Sequence, residues 1–325
     1  MWTSRPAPVE LVELLAPVQA GIVSVERRIA RAIEATEEPL AAAYRALFAG
    51  GKRLRPALAL LAAGPGASMT PEVVALGAAL EMLHVATLVH DDIIDGATVR
   101  RGQPTISARH GEEVGILAGD HLFAMAATVA TETGSLEAMR VFAQTLVTIS
   151  EGELAQTWRR AQVPSLDDYL WMIYAKTACL FESAALCGAL LSDRSQSEVE
   201  RFARYGHYLG LAFQIADDVL DYVGEPSLMG KPTMKDLSQG ILTLPLLLYV
   251  WERQELLPGD PMAVMDDEKV ERLMETVVAD GFVERALAMA EDFAEKAWNS
   301  IEGFIDGDFA FCLRGLARFA VKRPI

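Results

Sequence analysis

The chain has few cysteines and few aromatic side chains for its length. The 3 cysteines among its 325 residues, Cys179, Cys187 and Cys312, are odd in number and lack the spacing of a metal site. They fit core positions in a reducing compartment, so we expect a cytoplasmic protein. Aromatic residues make up 7% of the chain, and runs of β-branched or aromatic residues with period two are scarce. Both observations disfavour a β-rich fold.

Signals for export or membrane insertion are also lacking. The first residues, MWTSRPAPVE, do not show the basic and then apolar pattern of a signal peptide. No window approaches ~18 uninterrupted apolar residues, and the most apolar run, 241–251, contains Pro245. We therefore expect no transmembrane segment.

Positive charge is in short supply as well. The formal net charge of −16 disfavours nucleic acids and anionic membrane surfaces as partners. A small anionic substrate remains compatible with this charge if metal cations and local basic residues mediate the contact.

Apolar residues, in contrast, make up 51% of the chain, with Ala and Leu dominant, which predicts an all-α fold. We find no repeat, low-complexity tract or linker, so we expect a single domain, 1–325, of about ten or more helices. Residues 96–111 and 224–236 are expected to be loops. Helical periodicity runs from near residue 9 to 48 with a break at 37–39, and further helices are expected at 52–64, 71–95, 117–131, 136–160, 165–191, 197–222, 240–255, 268–280, 282–304 and 308–320.

One predicted helix ends in a cluster of acidic residues. Asp91, Asp92 and Asp95 occupy its last turn before Gly96, and Asp91, Asp95 and His84 share one face. Carboxylates at a helix C-terminus repel the helix dipole and each other. A hard divalent cation such as Mg²⁺ would relieve this repulsion. The alternative interpretation is a solvated acidic helix end.

A second predicted helix repeats the arrangement. Asp217 and Asp221 are again four residues apart, Gln214 lies one turn earlier, and the following loop carries Lys231 and Lys235. Two such helix ends that face one another would form a cage of carboxylate oxygens. Mg²⁺ ions held there would bind a polyanion, and diphosphate is the obvious candidate.

Basic residues occur where such an anion would need them. Taken singly, each is more often a surface residue, His84 more often a core histidine and Gln214 more often a core amide. Together they indicate two anion sites, one bridged by metal and one purely basic, as expected for an enzyme that joins two phosphorylated substrates. The basic residues are Lys52, Arg55, Arg100, Arg101, Lys176 and Lys231.

These motifs, in this order and spacing, resemble the trans-isoprenyl diphosphate synthase (polyprenyl synthetase) family from about residue 40 to the end. The matching motifs are GGKRLRP at 50–56, HDDIID at 90–95, RRG at 100–102, KT at 176–177, FQIADDVLD at 213–221 and GKP at 230–232. The resemblance implies the isoprenoid synthase fold, in which helices surround a central cavity. It also implies a homodimer, for which the long apolar helices at 117–160 could pair.

The resemblance further implies roles for individual residues. Asp91, Asp95 and Asp217 would hold three Mg²⁺ ions on an allylic diphosphate, with support from Asp92, Asp218 and Asp221. Arg100, Lys176 and Lys231 would contact the same diphosphate. Isopentenyl diphosphate would be bound by Lys52, Arg55, His84 and Arg101, while Thr177 and Gln214 would face the developing carbocation. Ile241 stands where family members often carry a polar or basic residue, for which Lys235 could compensate.

Product length is a separate expectation. Ala86 and Thr87 would line the upper wall of the tunnel for the growing chain, where bulky aromatic residues stop elongation early in the family. Their small size favours an all-trans product of about six to ten isoprene units, made from farnesyl or geranylgeranyl diphosphate. One alternative is that Ala86 and Thr87 are ordinary packing residues and that another helix forms the floor that stops elongation. Another is a shorter product of the farnesyl or geranylgeranyl type.

Three other function classes fit the sequence less well. A class I terpene cyclase shares the metal-triggered ionisation but usually has one DDxxD motif, paired with an Asn/Ser/Glu-type metal motif, and needs no second diphosphate site. A non-catalytic partner subunit or isoprenoid-binding module would be expected to lack some of the acids or the basic site. A purely structural helical protein does not explain six acids at two helix ends.

Overall fold

The computed structural model describes residues 11–159, 162–223, 241–253 and 267–322. These residues are almost entirely helical, which confirms the predicted all-α class. One short antiparallel ribbon pairs β1 (Val99–Arg100) with β2 (Gln103–Pro104). The helices are α1 (Leu11–Leu15), α2 (Gln19–Glu34), α3 (Leu40–Phe48), α4 (Leu54–Ala63), α5 (Pro71–Ile94), α6 (Ile106–His110), α7 (Glu112–Thr131), α8 (Leu136–Trp158), α9 (Leu166–Ile173), α10 (Cys179–Leu190), α11 (Gln196–Val223), α12 (Leu244–Arg253), α13 (Asp267–Ala279), α14 (Phe282–Ile301) and α15 (Gly307–Val321).

Two predicted helix starts are confirmed by their caps. Thr70 caps α5, where its hydroxyl accepts a hydrogen bond from the Val73 amide at 3.4 Å. Ser165 caps α9 and forms a capping box with Asp168. Both caps satisfy amide groups that the first helical turn leaves without a partner.

Other boundaries differ from the prediction. Helix α11 begins at Gln196, one residue before the expected start at 197. Ser195 caps it, because its hydroxyl accepts from the Glu198 amide and its own amide donates to the Glu198 carboxylate. The expected loop at 96–111 contains the β-ribbon and α6, and α7 begins five residues earlier than expected, at Glu112. Acidic residues in its first turn suit the helix dipole.

The predicted helix at 165–191 is interrupted by a π-turn, Tyr174–Ala178, between α9 and α10. In this turn the Cys179 amide donates to the Tyr174 carbonyl, five residues earlier. The π-turn therefore inserts one extra residue into an otherwise continuous helix.

The core is organised around α5 and α11. Helix α5 packs against α2, α4, α7 and α10, and α11 packs against α10, α14, α15 and the π-turn. Two clusters of buried apolar side chains surround these helices, and Tyr208 and Phe293 pack against both clusters. The two acidic helix ends thus belong to the two helices that the rest of the described chain packs around.

Three helical segments are long and apolar enough, by length and composition, to cross a membrane. In α5 and in the segment Leu166–Leu190, 72% of the apolar window is buried within the protein. In α7 the buried share is 39%. The apolar composition of the first two segments is therefore accounted for by packing in the core, whereas α7 keeps an apolar outer face.

Candidate active site

The first acidic helix end places its three aspartates in different surroundings. Asp92 is 3% exposed, and its Oδ1 accepts a hydrogen bond from Arg100 Nε at 2.7 Å. Arg100 belongs to β1, so this ion pair fastens the ribbon to the end of α5. Asp91 and Asp95 are only partly buried. The Asp92 carboxylate is therefore held within the chain by Arg100.

Asp91 lies in an environment that disfavours its charge. Burial raises the pKa of its carboxyl to about 6; the Lys176 charge opposes this shift, and the charges of Glu153 and Asp95 add to it. No hydrogen bond to the Asp91 carboxylate is found among the described residues. A bound cation at this position would stabilise the ionised form.

The π-turn brings two predicted site residues between the acidic ends. Lys176 Nζ lies 3.0 Å from Glu153 Oε1 of α8. Burial lowers the pKa of Lys176, but the charges of Asp91 and Glu153 outweigh it and the net pKa is raised. Thr177 donates to Gln214 Oε1 of α11 at 2.7 Å. Lys176 thus interacts with the first acid cluster, while Thr177 is linked to the second through Gln214, which bonds to Asp218.

The second acidic helix end is held by a hydrogen-bond network. Gln214 Nε2 donates to Asp218 Oδ1 at 3.0 Å, and the Tyr169 hydroxyl donates to Asp218 Oδ2 at 2.7 Å. Asp218 is 6% exposed, while Asp217 is exposed and Asp221 is partly buried. Asp218 therefore supports the helix end from inside, as Asp92 does in the first cluster.

A basic site surrounds His84, two turns before Asp91 on α5. Burial, and then the charges of Arg55, Arg101 and Arg100, hold the pKa of His84 well below its usual value. A neutral imidazole among guanidinium groups can donate a hydrogen bond to an anion without adding charge. His84 therefore lies within electrostatic range of Arg55, Arg101 and Arg100; the role of Lys52, Arg55, His84 and Arg101 in binding isopentenyl diphosphate stays a prediction.

Arg55 presents an unsatisfied donor at this basic site. Its Nε is buried and has no hydrogen-bond partner among the described residues, and its guanidinium carbon lies 4.8 Å from the ring centroid of Phe181. Burial lowers the pKa of Arg55, and the Glu81 charge opposes this. A buried donor without a partner is costly, and a bound oxyanion would supply the missing hydrogen-bond acceptor.

Arg53 anchors the junction between the loop that carries Lys52 and the first turn of α4, which carries Arg55. Arg53 Nη1 lies 2.9 Å from Glu81 Oε1 and its Nε lies 3.2 Å from Glu26 Oε1, and the guanidinium also donates to the Phe48 carbonyl. Within the described ranges, Arg53 and Arg101 are the non-glycine residues with positive φ, each at 50°. Both lie at the basic site, and strained backbone of this kind is typical of functional sites.

The remaining predicted residues are placed as follows. The Lys52 ammonium lies 5.3 Å from the ring centroid of Phe319 in α15. Ala86 is fully buried, and the Thr87 hydroxyl donates to the His84 carbonyl at 2.7 Å; their role as a tunnel wall stays a prediction. Lys231 and Lys235 lie outside the described residues.

Ile241 lines a cavity of about 280 Å³ between the end of α8, α9 and the start of α12. Met172, also on its wall, lies one turn before Lys176. Ile241, which stands where family members often carry a polar or basic residue, thus borders an open space. The other lining residues are Gln156, Arg159, Gln162, Val163, Pro164, Asp168 and Leu242.

The donor set suits Mg²⁺, which prefers carboxylate, phosphate and water oxygens. In the described part of the chain, no three His, Cys, Asp or Glu side chains are grouped so as to hold a metal by themselves. Mg²⁺ is usually bound by one or two carboxylates together with substrate phosphates. The residues present therefore fit ions that are completed by a diphosphate rather than a closed metal cage.

Sequence reasoning did not identify Glu153, Tyr169 or the Arg53–Glu81 pair. Glu153 is one of several acids on α8 without a motif around it, and Tyr169 has the appearance of an ordinary core aromatic. Their roles depend on tertiary contacts with Lys176 and Asp218. For the Arg53–Glu81 pair, the sequence offered one indication, namely that Arg53 directly follows Lys52.

Comparison with known proteins identifies the family. The family model for polyprenyl synthetase matches residues 37–277. The chain is 35% identical over 305 residues to heptaprenyl diphosphate synthase component 2 of Geobacillus stearothermophilus, covering 93% of this chain and 95% of the relative. It is 35% identical over 318 residues to nonaprenyl diphosphate synthase of Mycobacterium tuberculosis, covering 95% and 94%.

A similar solved structure agrees with these relatives. A crystal structure of polyprenyl synthase from Caulobacter crescentus CB15, complexed with calcium and isoprenyl diphosphate, superposes with a TM-score of 0.90. The two sequences are 34% identical, and the match covers 98% of this chain and 99% of that one. This confirms the isoprenoid synthase fold. The chain belongs to the polyprenyl synthetase family and is a trans-prenyltransferase.

Proposed function

We propose that the protein condenses isopentenyl diphosphate head-to-tail with an allylic diphosphate in a Mg²⁺-dependent reaction. The observation that carries this proposal is the pairing, on α5, of an acidic end at Asp91 with a basic site at His84 two turns earlier. One site suits a diphosphate bridged by metal, and the other suits a diphosphate bound by basic side chains without metal. Two such anion sites side by side are what joining two diphosphates requires.

In this proposal Asp91, Asp95 and Asp217 hold the Mg²⁺ ions, which we take to be three. When bound, these ions neutralise the allylic diphosphate and make it a better leaving group. Lys176 adds a positive charge where negative charge develops as the carbon–oxygen bond breaks. Asp92 and Asp218, being paired within the protein, keep the two helix ends in position.

The second substrate is held with its alkene near the carbocation. Arg55, Arg101 and His84 bind its diphosphate and so orient the alkene for attack. Thr177 and Gln214, hydrogen-bonded to each other, present oxygen atoms that can stabilise the nearby cation. The proposed base for the final proton loss is the released diphosphate.

For product length we propose about six to ten isoprene units, because Ala86 and Thr87 offer little bulk to stop elongation. The names of two relatives, heptaprenyl and nonaprenyl diphosphate synthase, support this range. A shorter, geranylgeranyl-type product is the competing outcome, since a geranylgeranyl pyrophosphate synthase of Lactobacillus brevis also superposes with a TM-score of 0.85.

We further propose a homodimer in the cytoplasm. Helices α7 and α8 expose large apolar side chains that a second copy would cover, and the cysteines are buried and free of disulfides. Light scattering after gel filtration should give twice the chain mass, and a monomer would contradict the dimer. The exposed apolar residues are Val114, Ile116, Leu117, Leu136, Val147, Leu154 and Trp158.

A product assay tests the activity and its chain length. Purified protein is incubated with labelled isopentenyl diphosphate and Mg²⁺, separately with dimethylallyl, geranyl, farnesyl and geranylgeranyl diphosphate. After dephosphorylation the products are sized by chromatography. Labelled all-trans products of about six to ten units are expected. Products no longer than geranylgeranyl would overturn the long-chain proposal, and no product with any primer would overturn the activity.

A further inference from the structure

The π-turn that carries Lys176 and Thr177 is approached very closely by α8. A Cβ atom placed on Gly152 would lie 2.7 Å from Ala175 Cβ and 3.4 Å from the Lys176 amide nitrogen. Real Cβ atoms essentially never come within 3.0 Å of another such atom, so the 2.7 Å contact requires a shift. A side chain at position 152 would therefore push the π-turn away from α8.

Helix α11 approaches the same turn from another direction. A Cβ atom on Gly210 would lie 2.4 Å from Ala178 Cα and 2.6 Å from Ala178 Cβ. Gly152 and Gly210 both lie inside α-helices and neither has a positive φ. Since glycine in a helix interior costs about 1 kcal/mol relative to alanine, close approach to the π-turn is the physical reason for glycine at both positions.

Each glycine is accompanied by a polar residue that holds a side chain of the turn. On α8, Glu153 follows Gly152 and pairs with Lys176 at 3.0 Å. On α11, Gln214 lies one helical turn after Gly210 and accepts from Thr177 at 2.7 Å. Backbone and side chains of the π-turn are thus fixed together from two sides.

We propose that Gly152 and Glu153 on α8, with Gly210 on α11, act as positioning residues that set the orientation of Lys176 and Thr177. We call these three residues the clamp. Loss of the π-turn would remove the extra residue and rotate the preceding or following helix by about 100°. Lys176 and Thr177 would then no longer face the two acid clusters together. This inference rests on the proposed role of Lys176 and Thr177 toward the allylic substrate.

The first experiment compares Gly152→Ala and Gly210→Ala with Gly188→Ala. Gly188 is a matched control, because its Cβ would lie 2.2 Å from the Ala59 carbonyl oxygen at the contact between α10 and α4. In the two clamp variants kcat should fall about 10²-fold, with KM for isopentenyl diphosphate within about twofold of wild type. Gly188→Ala should lose stability while the folded protein keeps both constants.

Hydrogen–deuterium exchange gives a readout that does not need turnover. A peptide that spans 174–179 should exchange faster in Gly152→Ala and Gly210→Ala, while in Gly188→Ala it should match wild type under native conditions. Unchanged protection of this peptide in both clamp variants would overturn the proposal. Equal loss of kcat in Gly188→Ala would also overturn it, because the effect would then be general loss of packing.

The second experiment is a double-mutant cycle between Glu153 and Lys176. Glu153→Gln should lower kcat about tenfold in the wild-type background and have no further effect in Lys176→Ala, because Glu153 acts only through Lys176. An equal effect in both backgrounds would contradict the positioning role. If a glycine variant does not fold, this cycle still decides the proposal.

Failure of the proposed function and failure of the positioning proposal give different results. If wild-type protein makes no product with any primer, the proposed function fails, and the exchange experiment still tests the clamp. If wild type is active and the cycle and exchange show no coupling, the clamp fails while the proposed function stands.

Discussion

Replacement of Asp91 by asparagine should make the metal-free protein more stable and at the same time inactive. Asparagine has nearly the shape of a protonated aspartate but carries no charge. At neutral pH the wild-type carboxylate is ionised in surroundings that favour its neutral form, since its pKa is raised to about 6. The variant removes this penalty together with the proposed metal ligand.

The size of the effect follows from the pKa. A rise from the ordinary 3.8 to about 6 is roughly 2 pKa units, and each unit corresponds to about 1.4 kcal/mol. Solvent screening of this partly exposed side chain reduces the figure. We therefore expect the free energy of unfolding of Asp91→Asn to exceed that of wild type by about 2 kcal/mol at pH 7.5.

The sign of the pH dependence is fixed by the direction of the shift. For a carboxyl with a raised pKa, the penalty is fully present above the folded pKa of about 6 and disappears as the pH falls below the ordinary 3.8. The assay is urea denaturation in EDTA at several pH values between pH 7.5 and pH 4. The gain in stability should stay nearly constant down to about pH 6 and then shrink toward pH 4.

The neighbouring Asp92→Asn variant is the matched control and should behave in the opposite way. Asp92 is 3% exposed and paired with Arg100 at 2.7 Å, so its removal leaves a guanidinium without its partner. We expect a loss of about 2–3 kcal/mol. Equal destabilisation by both variants would refute the account of Asp91 as an uncompensated charge.

Four further outcomes are expected. Asp217→Ala should lower kcat about 10³-fold or more with an unchanged circular dichroism spectrum, because Asp217 is exposed and is a proposed metal ligand; normal turnover would count against the mechanism. Arg55→Lys should raise KM for isopentenyl diphosphate about tenfold without altering that for the allylic substrate, because lysine lacks the guanidinium fork. Ala86→Phe should shorten the product, and an unchanged product spectrum would rule out this wall. Glu81→Gln should lower the free energy of unfolding by about 3 kcal/mol in urea titrations, because it leaves buried Arg53 with one fewer carboxylate.

The sequence predicted the helices whose signals are local. Thr70 and Pro71 mark the start of α5 through a cap and a preset φ, and both act within a few residues. The acid spacing at Asp91 and Asp95 is likewise set by the helical repeat. The existence of the two acidic helix ends was therefore predictable without knowledge of tertiary contacts.

Features that depend on distant neighbours were not predictable in this way. The π-turn at Tyr174–Ala178 has no local composition signal, because it is fixed by Gly152 and Gly210 from other helices. The internal partner of Asp92 could not be told from the motif alone, since all three aspartates in that turn look equivalent. That Asp92 pairs with Arg100 depends on where the ribbon that carries Arg100 folds.

The most direct test of the central claim is anomalous diffraction. Crystals would be grown with Mn²⁺ in place of Mg²⁺ and a non-cleavable allylic thiodiphosphate. The account predicts anomalous peaks beside Asp91 and Asp95, beside Asp217, and on the diphosphate between them. Peaks confined to other surfaces, or a diphosphate bound away from both aspartate clusters, would contradict it.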